Sequence, residues 1–209
     1  MRSGEELDVV DVDGAVYNCV IGTADKKTVS VDVLKMQKGS HEMKTKITLY
    51  QSVSKGERMD LTIQKSVELG VNKIVPVISD RCVVKLDGKS SKSDRWQKIA
   101  LEAARQSGRD IVPVVTEPLT FAKAVSSCSE NLKVIPWEEA RGVTLKNVIS
   151  SRPAKSIAVF IGPEGGFTPA EADLARSNDI TPVTLGERIL RTETAGPAVI
   201  AMISYELEL

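Results

Sequence analysis

Residues 156–177 read SIAVFIGPEGGFTPAEADLARS. The opening SIAVFI has the length and apolar character of a strand, and Gly162, Pro163, Gly165 and Gly166 break it at once. Thr168 followed by Pro169, Ala170 and Glu171 fits a capping box with proline at the first helical position. The segment is therefore a strand, a turn over residues 162–167 and a helix. In an open α/β sheet, ligands sit beyond the carboxyl ends of strands, where such turns lie.

The same alternation extends along most of the chain. From Lys55 onward, ERMDLTIQKSVELG reads as helix, KIVPVIS as strand, DRWQKIALEAARQSG as helix, IVPVV as strand, FAKAVSS as helix and LKVIPW as strand. LKNVISS follows as helix, then the quoted segment, then TPVTLG as strand and a closing helix through Tyr205. Such alternation predicts an α/β fold, a mostly parallel sheet with helices on its faces. The first stretches differ: ELDVVDVDG, AVYNCVIGT, TVSVDVLK and KITLYQS are strand-like, separated by glycine or charged breaks. They predict a small β domain over residues 1–52 and a second domain over 53–209, divided where QSVSKG loses apolar periodicity.

With 209 residues, 42% of them hydrophobic and 27% charged, the composition predicts a soluble globular protein. AGPAVIAMISYEL, the longest apolar stretch, is too short and interrupted to span a bilayer, so no membrane partner is expected. The start, MRSGEELDVV, lacks the apolar core of a secretory signal, and the expected location is cytoplasmic. Cys19, Cys82 and Cys128 are far apart and His41 is the lone histidine, so neither a disulfide framework nor a metal site is expected. A formal net charge of zero argues against a globally basic nucleic-acid binder. Residues 81–109 nevertheless hold eight Lys/Arg against three acidic residues, a local basic segment.

The glycines at 162, 165 and 166 let the backbone come close to a ligand. Phosphate is the usual guest of such turns. Yet the sequence matches neither GxxxxGKS/T nor GxGxxG, has no lysine here, and carries Glu164, whose charge opposes a phosphate. A sugar hydroxyl or a cationic ligand suits it better, with a purely geometric tight turn as the alternative; a nucleotide-dependent enzyme is disfavoured. A second ligand-type turn lies in TPVTLGERILRTETAGPAVIAMISY, residues 181–205. Gly186 breaks the chain there, and Thr192 or Thr194 can cap a helix whose first turn tolerates Pro197. Val199, Met202, Ile203 and Leu207 then make its buried stripe.

Together, IGPEGGFTPAEAD and LGERILRTETA closely resemble the signature stretches of the RsmE family, the 16S ribosomal RNA uridine-N3 methyltransferases of the SPOUT class. QKSVELGVNKIVPV from Gln64, SDRCVV from Ser79 and RWQKIALEAARQSGR from Arg95 match as well, so the resemblance runs from near Lys55 to the C-terminus. It implies a SPOUT-type domain with a trefoil knot, a homodimer, and S-adenosyl-L-methionine held in the knot. The implied substrate is 16S rRNA within the small ribosomal subunit. The family's RNA-binding PUA-like β-barrel matches the β-rich start of this chain only from partway in, so a barrel truncated at its N-terminus is expected.

By that resemblance, Ile161, Gly162, Glu164, Gly165 and Gly166 line the cofactor pocket from the first turn, with Leu185, Gly186, Ile189 and Leu190 from the second. Thr194 either joins them or caps the last helix. Uridine N3 carries a proton at neutral pH, so methylation there requires loss of that proton and stabilisation of the negative charge left on the base. No metal is needed. Arg191 is the candidate for holding the base or its developing anion, while Glu193 either orients Arg191 or accepts the proton. Along the helix from Asp94, Trp96, Ile99, Ala100 and Ala103 recur at core spacing, leaving Lys98, Glu102, Arg105 and Arg109 as a polar stripe. Arg105 and Arg109 are candidates for RNA phosphates or for bracing the site entrance, and Lys65, Arg81 and Lys85 extend the basic track. A solvated helix face with ion pairs is the alternative for these charges. For the chain as a whole, the alternative is a noncatalytic RNA-binding or ribosome-assembly protein with the same fold.

Overall fold

The computed structural model describes residues 2–83, 91–151 and 154–208, and the chain divides into two units. One comprises Met1–Glu42 and Ala104–Val112, the other Met43–Ala103 and Pro113–Leu209. In the first, strands β1 (Glu6–Val10), β2 (Ala15–Ala24) and β3 (Val29–Lys38) form an antiparallel sheet in the order β1-β2-β3. Asp11 and Gly14 make the first turn. The Asp11 carboxylate accepts from the Asp13 and Ala15 N–H groups at 2.9 and 3.0 Å, while Gly14 takes a φ of 80°. A register shift between Asn18 and Cys19 moves the inward-facing phase from Val16 to Cys19 and Ile21, all three of them buried.

The 104–112 segment of this unit alters the expected polar stripe. The helix ends before Gly108, whose φ of 69° reverses the chain, and the Arg109 N–H bonds to the Ala104 carbonyl at 3.0 Å. Arg109 is thereby turned off the helix face and into the unit, its side chain only 4% exposed. Its guanidinium grips Glu42 with two hydrogen bonds, Nε to Oε1 at 3.1 Å and Nη2 to Oε2. Arg109 stands as a brace within the unit rather than as an exposed phosphate contact. Asp110 beside it accepts from the His41 backbone N–H at 2.8 Å and contacts the His41 ring.

The second unit holds a parallel sheet. Its elements are β4 (Lys46–Ser52), α1 (Arg58–Glu68), β5 (Lys73–Ile78), α2 (Ser91–Gln106, in this unit as far as Ala103), the two-residue strands β6 (Val114–Val115) and β7 (Leu119–Thr120), α3 (Phe121–Ser127) and β8 (Leu132–Pro136). They continue with α4 (Leu145–Ser151), β9 (Ser156–Ile161), α5 (Pro169–Arg176), β10 (Thr181–Val183) and α6 (Thr192–Leu207). The sheet order is β10-β8-β9-β4-β5-β6, with β7 also on β5, and every pairing is parallel. Among the described residues, no helix is long and apolar enough to cross a membrane.

KITLYQS, grouped by sequence with the antiparallel strands, is instead β4 at the centre of the parallel sheet, between β9 and β5. Every residue from Ile47 to Ser52 is buried, so the strand is covered on both faces, as a central parallel strand must be. The alternation of the antiparallel sheet is missing from it. IVPVV contributes less strand than expected, Val114–Val115 alone.

Tyr50 of β4 stacks on Phe160 of β9 with ring centroids 4.2 Å apart. Phe121 and Phe167 continue this core, and Phe167, 2% exposed, anchors the end of the glycine turn. The next helix starts as its sequence predicts. Thr168 Oγ1 accepts from the Glu171 N–H at 3.2 Å, and the Glu171 carboxylate accepts from the Thr168 N–H at 2.9 Å. In α6 the buried set is Thr192, Ala195, Gly196, Val199, Ile200 and Ile203, while Met202 is exposed and Leu207 half-buried. Ile200 is buried in place of the expected Met202, and Gly196 packs close to Leu49 and Gln51 of β4.

Candidate functional site

β10, β8 and β9 are neighbours in a parallel sheet, so their carboxyl ends emerge side by side. The turns that follow them enclose a cavity of about 750 Å³. One wall is the glycine turn, with Ile161, Gly162, Glu164, Gly166 and Phe167; the second runs from Thr184 to Glu193. The third follows β8 and includes Trp137, Glu138 and Arg141, while Arg58 of α1 closes the rim. The volume lies in the range of small-molecule and cofactor sites.

The charges form a connected set. Arg58 Nη1 donates to Glu164 Oε1 at 2.7 Å, and its Nε lies 3.9 Å from Glu193 Oε1. Arg191 Nη1 is also 3.9 Å from that oxygen. Glu193 is 14% exposed and sits between two guanidiniums, whereas Arg191 is 82% exposed and reaches into solvent at the mouth. Partial burial alone would raise the Glu164 carboxyl. Hydrogen bonds from its own backbone N–H, from Arg58 and from the Lys55 N–H outweigh that effect and hold it below its ordinary value. The carboxylate therefore stays charged, and the Arg58 tie intact, at neutral pH.

Among the described residues, four arginines (58, 141, 188, 191) and four glutamates (138, 164, 187, 193) line the cavity, with no lysine. This balance suits a ligand carrying both signs better than a polyphosphate. Ile189 at the rim is an apolar side chain left 83% exposed, available to cover an apolar part of a guest. Gly166 has a φ of 67°, and a Cβ there would lie 3.1 Å from the Glu138 carboxylate. A side chain would thus crowd Glu138 across the cavity lining.

Of the residues singled out by sequence, Ile161, Gly162, Glu164, Gly166, Leu185, Gly186, Ile189, Leu190, Arg191 and Glu193 all line this one cavity. Gly165 and Thr194 do not lie on its wall. A Cβ on Gly165 would meet the Arg81 side chain at 3.3 Å, and Thr194 is an exposed residue in the first turn of α6. Neither Thr192 nor Thr194 caps that helix. The N-cap position is Arg191, and the Thr192 hydroxyl bonds to the Gly162 carbonyl instead.

The basic residues meet varied surroundings. Arg81 Nη1 donates to the Gly165 carbonyl at 2.6 Å, bracing the glycine turn from outside. Lys65 pairs with Glu68 at 2.9 Å on α1. Arg105 is exposed, and Lys85 lies outside the described residues. Sequence reasoning missed Arg58, Trp137, Glu138, Arg141 and Thr192 as parts of the site. The stretch after LKVIP, with its Gly142, was open to the same carboxyl-end argument as the other two turns; Arg58 carried no local signal.

Residues 41–204 match the family model described as an RNA methyltransferase domain. Over its whole length the chain is 35% identical to the ribosomal RNA small subunit methyltransferase E of Bacillus subtilis strain 168, covering 85% of that protein. It is 33% identical to the protein of that name from Aquifex aeolicus strain VF5, with 97% of this chain and 86% of the other covered. Among solved structures it is similar to a ribosomal RNA small subunit methyltransferase E from Neisseria gonorrhoeae bound to S-adenosyl methionine. The TM-score is 0.89 and the identity 36%, covering 98% of this chain and 84% of that one.

Proposed function

We infer what this cavity does from the family the chain belongs to, the ribosomal RNA small subunit methyltransferases E. The protein is an S-adenosyl-L-methionine-dependent methyltransferase acting on N3 of a uridine in 16S rRNA. The observation that carries the reading is the convergence of two glycine-broken turns and an arginine-rich segment on one cavity, in a chain whose solved relative binds S-adenosyl methionine.

The cavity fits that cofactor. Ile161, Leu185, Ile189 and Leu190 offer apolar surface for a ring, the bare turn backbone offers hydrogen bonds, and the glutamates complement positive charge. When bound, S-adenosyl-L-methionine supplies an electrophilic methyl group on a sulfonium, so the protein's task is alignment and exclusion of water. Arg191, exposed at the mouth, holds the uracil and stabilises the charge left when N3 loses its proton. Glu193, between Arg58 and Arg191, orients these guanidiniums or takes the proton. Lys65 in the second unit and Arg105 in the first are each a candidate contact for RNA phosphates through charge.

To the same reading belong a trefoil knot in the methyltransferase domain, a PUA-like RNA-binding role for the antiparallel unit, a homodimer, the small ribosomal subunit as substrate and a cytoplasmic location. These rest on the family resemblance, the PUA-like role on the β-rich first stretch of the chain and the location on the ribosomal RNA substrate. Calorimetric titration of the purified chain with S-adenosyl-L-methionine, ATP and NAD tests the cofactor assignment. Saturable binding of the first alone is expected; no binding by a folded protein, or preference for ATP or NAD, would overturn it.

A further inference from the structure

We propose that Gln51 and Thr192 form a buried hydrogen-bond relay that fixes the spacing between the two turn walls of the cavity, making Gln51 a positioning residue for the cofactor. The proposal rests on the cofactor reading above. Gln51, at the end of β4, is fully buried, and Thr192, at the start of α6, is 5% exposed. Gln51 Nε2 donates to the Ser52 carbonyl at 3.1 Å and to Thr192 Oγ1 at 2.9 Å; Thr192 Oγ1 donates in turn to the Gly162 carbonyl at 2.6 Å.

The direction of the relay follows from counting hydrogens. A hydroxyl has one, and the Gly162 carbonyl can only accept, so Thr192 must accept from Gln51 and the amide nitrogen must face it. That orientation has a cost. Gln51 Oε1 is left buried without a partner, lying where a Cβ on Gly196 would come within 3.1 Å. An apolar residue at position 51 would remove this penalty, so the local fold alone gives no reason for the amide. Its nitrogen supplies one.

Gly162 and Thr192 both line the cavity, on segments thirty positions apart, and their hydrogen bond joins the glycine turn to the arginine-bearing segment. The turn's other ties, Glu164 to Arg58 and the Gly165 carbonyl to Arg81, are solvent-accessible and correspondingly weaker. Like these, the Lys55 N–H bond to Glu164 is exposed, whereas the Gln51–Thr192 bond is buried and the Thr192–Gly162 bond is part-buried, so the relay is the tie best shielded from water and sets the separation of the walls.

The test compares Thr192→Val, which keeps the shape and removes the hydroxyl, with Thr192→Ser, which keeps the hydroxyl, and with Gln51→Leu. Thr192→Val should weaken S-adenosyl-L-methionine binding about ten- to a hundredfold, and Thr192→Ser by less than about threefold. Gln51→Leu should weaken binding about tenfold while leaving the melting temperature unchanged or raised, a split that a merely structural role would not give. Equal affinity of Thr192→Val and the parent, or a serine variant as impaired as the valine one, would overturn the proposal. Backbone amide exchange over residues 164–167, measured without ligand, separates the two claims. Faster exchange in Thr192→Val but not in Thr192→Ser supports the relay even if the parent binds no S-adenosyl-L-methionine, a result that would defeat the cofactor reading instead.

Discussion

Gly162→Val is expected to abolish measurable cofactor binding while the protein still folds. A Cβ at position 162 would lie 3.2 and 3.3 Å from the Gly166 backbone and 3.3 Å from the Phe167 ring. Two of these contacts are main chain and the third is a ring packed in the core, so no flexible side chain can swing aside. Valine adds two methyl groups, forcing the turn outward into the cavity or away from α6. Overpacking of this kind costs roughly 1–3 kcal/mol of stability, which most folded domains survive. Ligand affinity has less tolerance, because the same displacement moves Glu164 and the Gly162 carbonyl, both of which line or tie the pocket. An affinity loss of at least about a hundredfold follows. Calorimetry alongside a thermal melt checks it, and a folded variant with the parent's affinity would reject the turn as a cofactor wall.

Arg191→Ala should act on the other half of the reaction. Its side chain is 82% exposed and, among the described residues, its ion-pair partner is Glu193 at 3.9 Å, so truncation leaves the fold and the glycine-turn wall essentially undisturbed. What is lost is the positive charge at the mouth, where the deprotonated uracil must be stabilised. Removing one such stabilising group typically costs about 10²–10³ in turnover. Single-turnover methylation should fall by that factor with cofactor affinity unchanged, and Arg191→Lys should recover only part, since an ammonium lacks the planar fork. Parallel loss of affinity and turnover would make Arg191 a cofactor ligand instead.

The glycine turn was legible because every signal in it is local: an apolar run, glycines, a capping threonine and a glutamate three residues on. The pocket-lining turns after β9 and β10 followed from the rule on carboxyl ends of strands, while the one after β8 was missed. β4 was misgrouped because KITLYQS mixes apolar residues with Thr, Gln and Ser, which on sequence alone suggest a half-exposed strand. Its polar members are buried in the parallel sheet, and Gln51 among them reaches Thr192. Thr192 reads as a helix cap by position, yet its hydroxyl makes a tertiary bond to Gly162. Arg109 reads as the end of a polar helix face, but a left-handed glycine one residue earlier redirects it onto Glu42. For β4 and Thr192 a partner distant in sequence decided the outcome, and for Arg109 the glycine turn handed it to one. Arg58, whose site partners Glu164 and Glu193 lie on distant segments, could be found only once the chain was folded.

The most direct test is methyl transfer itself. Small ribosomal subunits carrying unmodified 16S rRNA would be incubated with the protein and methyl-labelled S-adenosyl-L-methionine, and the RNA digested to nucleosides and resolved by chromatography and mass spectrometry. Label confined to 3-methyluridine, and lost with Arg191→Ala, is the predicted result. A protein that binds S-adenosyl-L-methionine but places no label on uridine N3, or places it on another atom, would contradict the account.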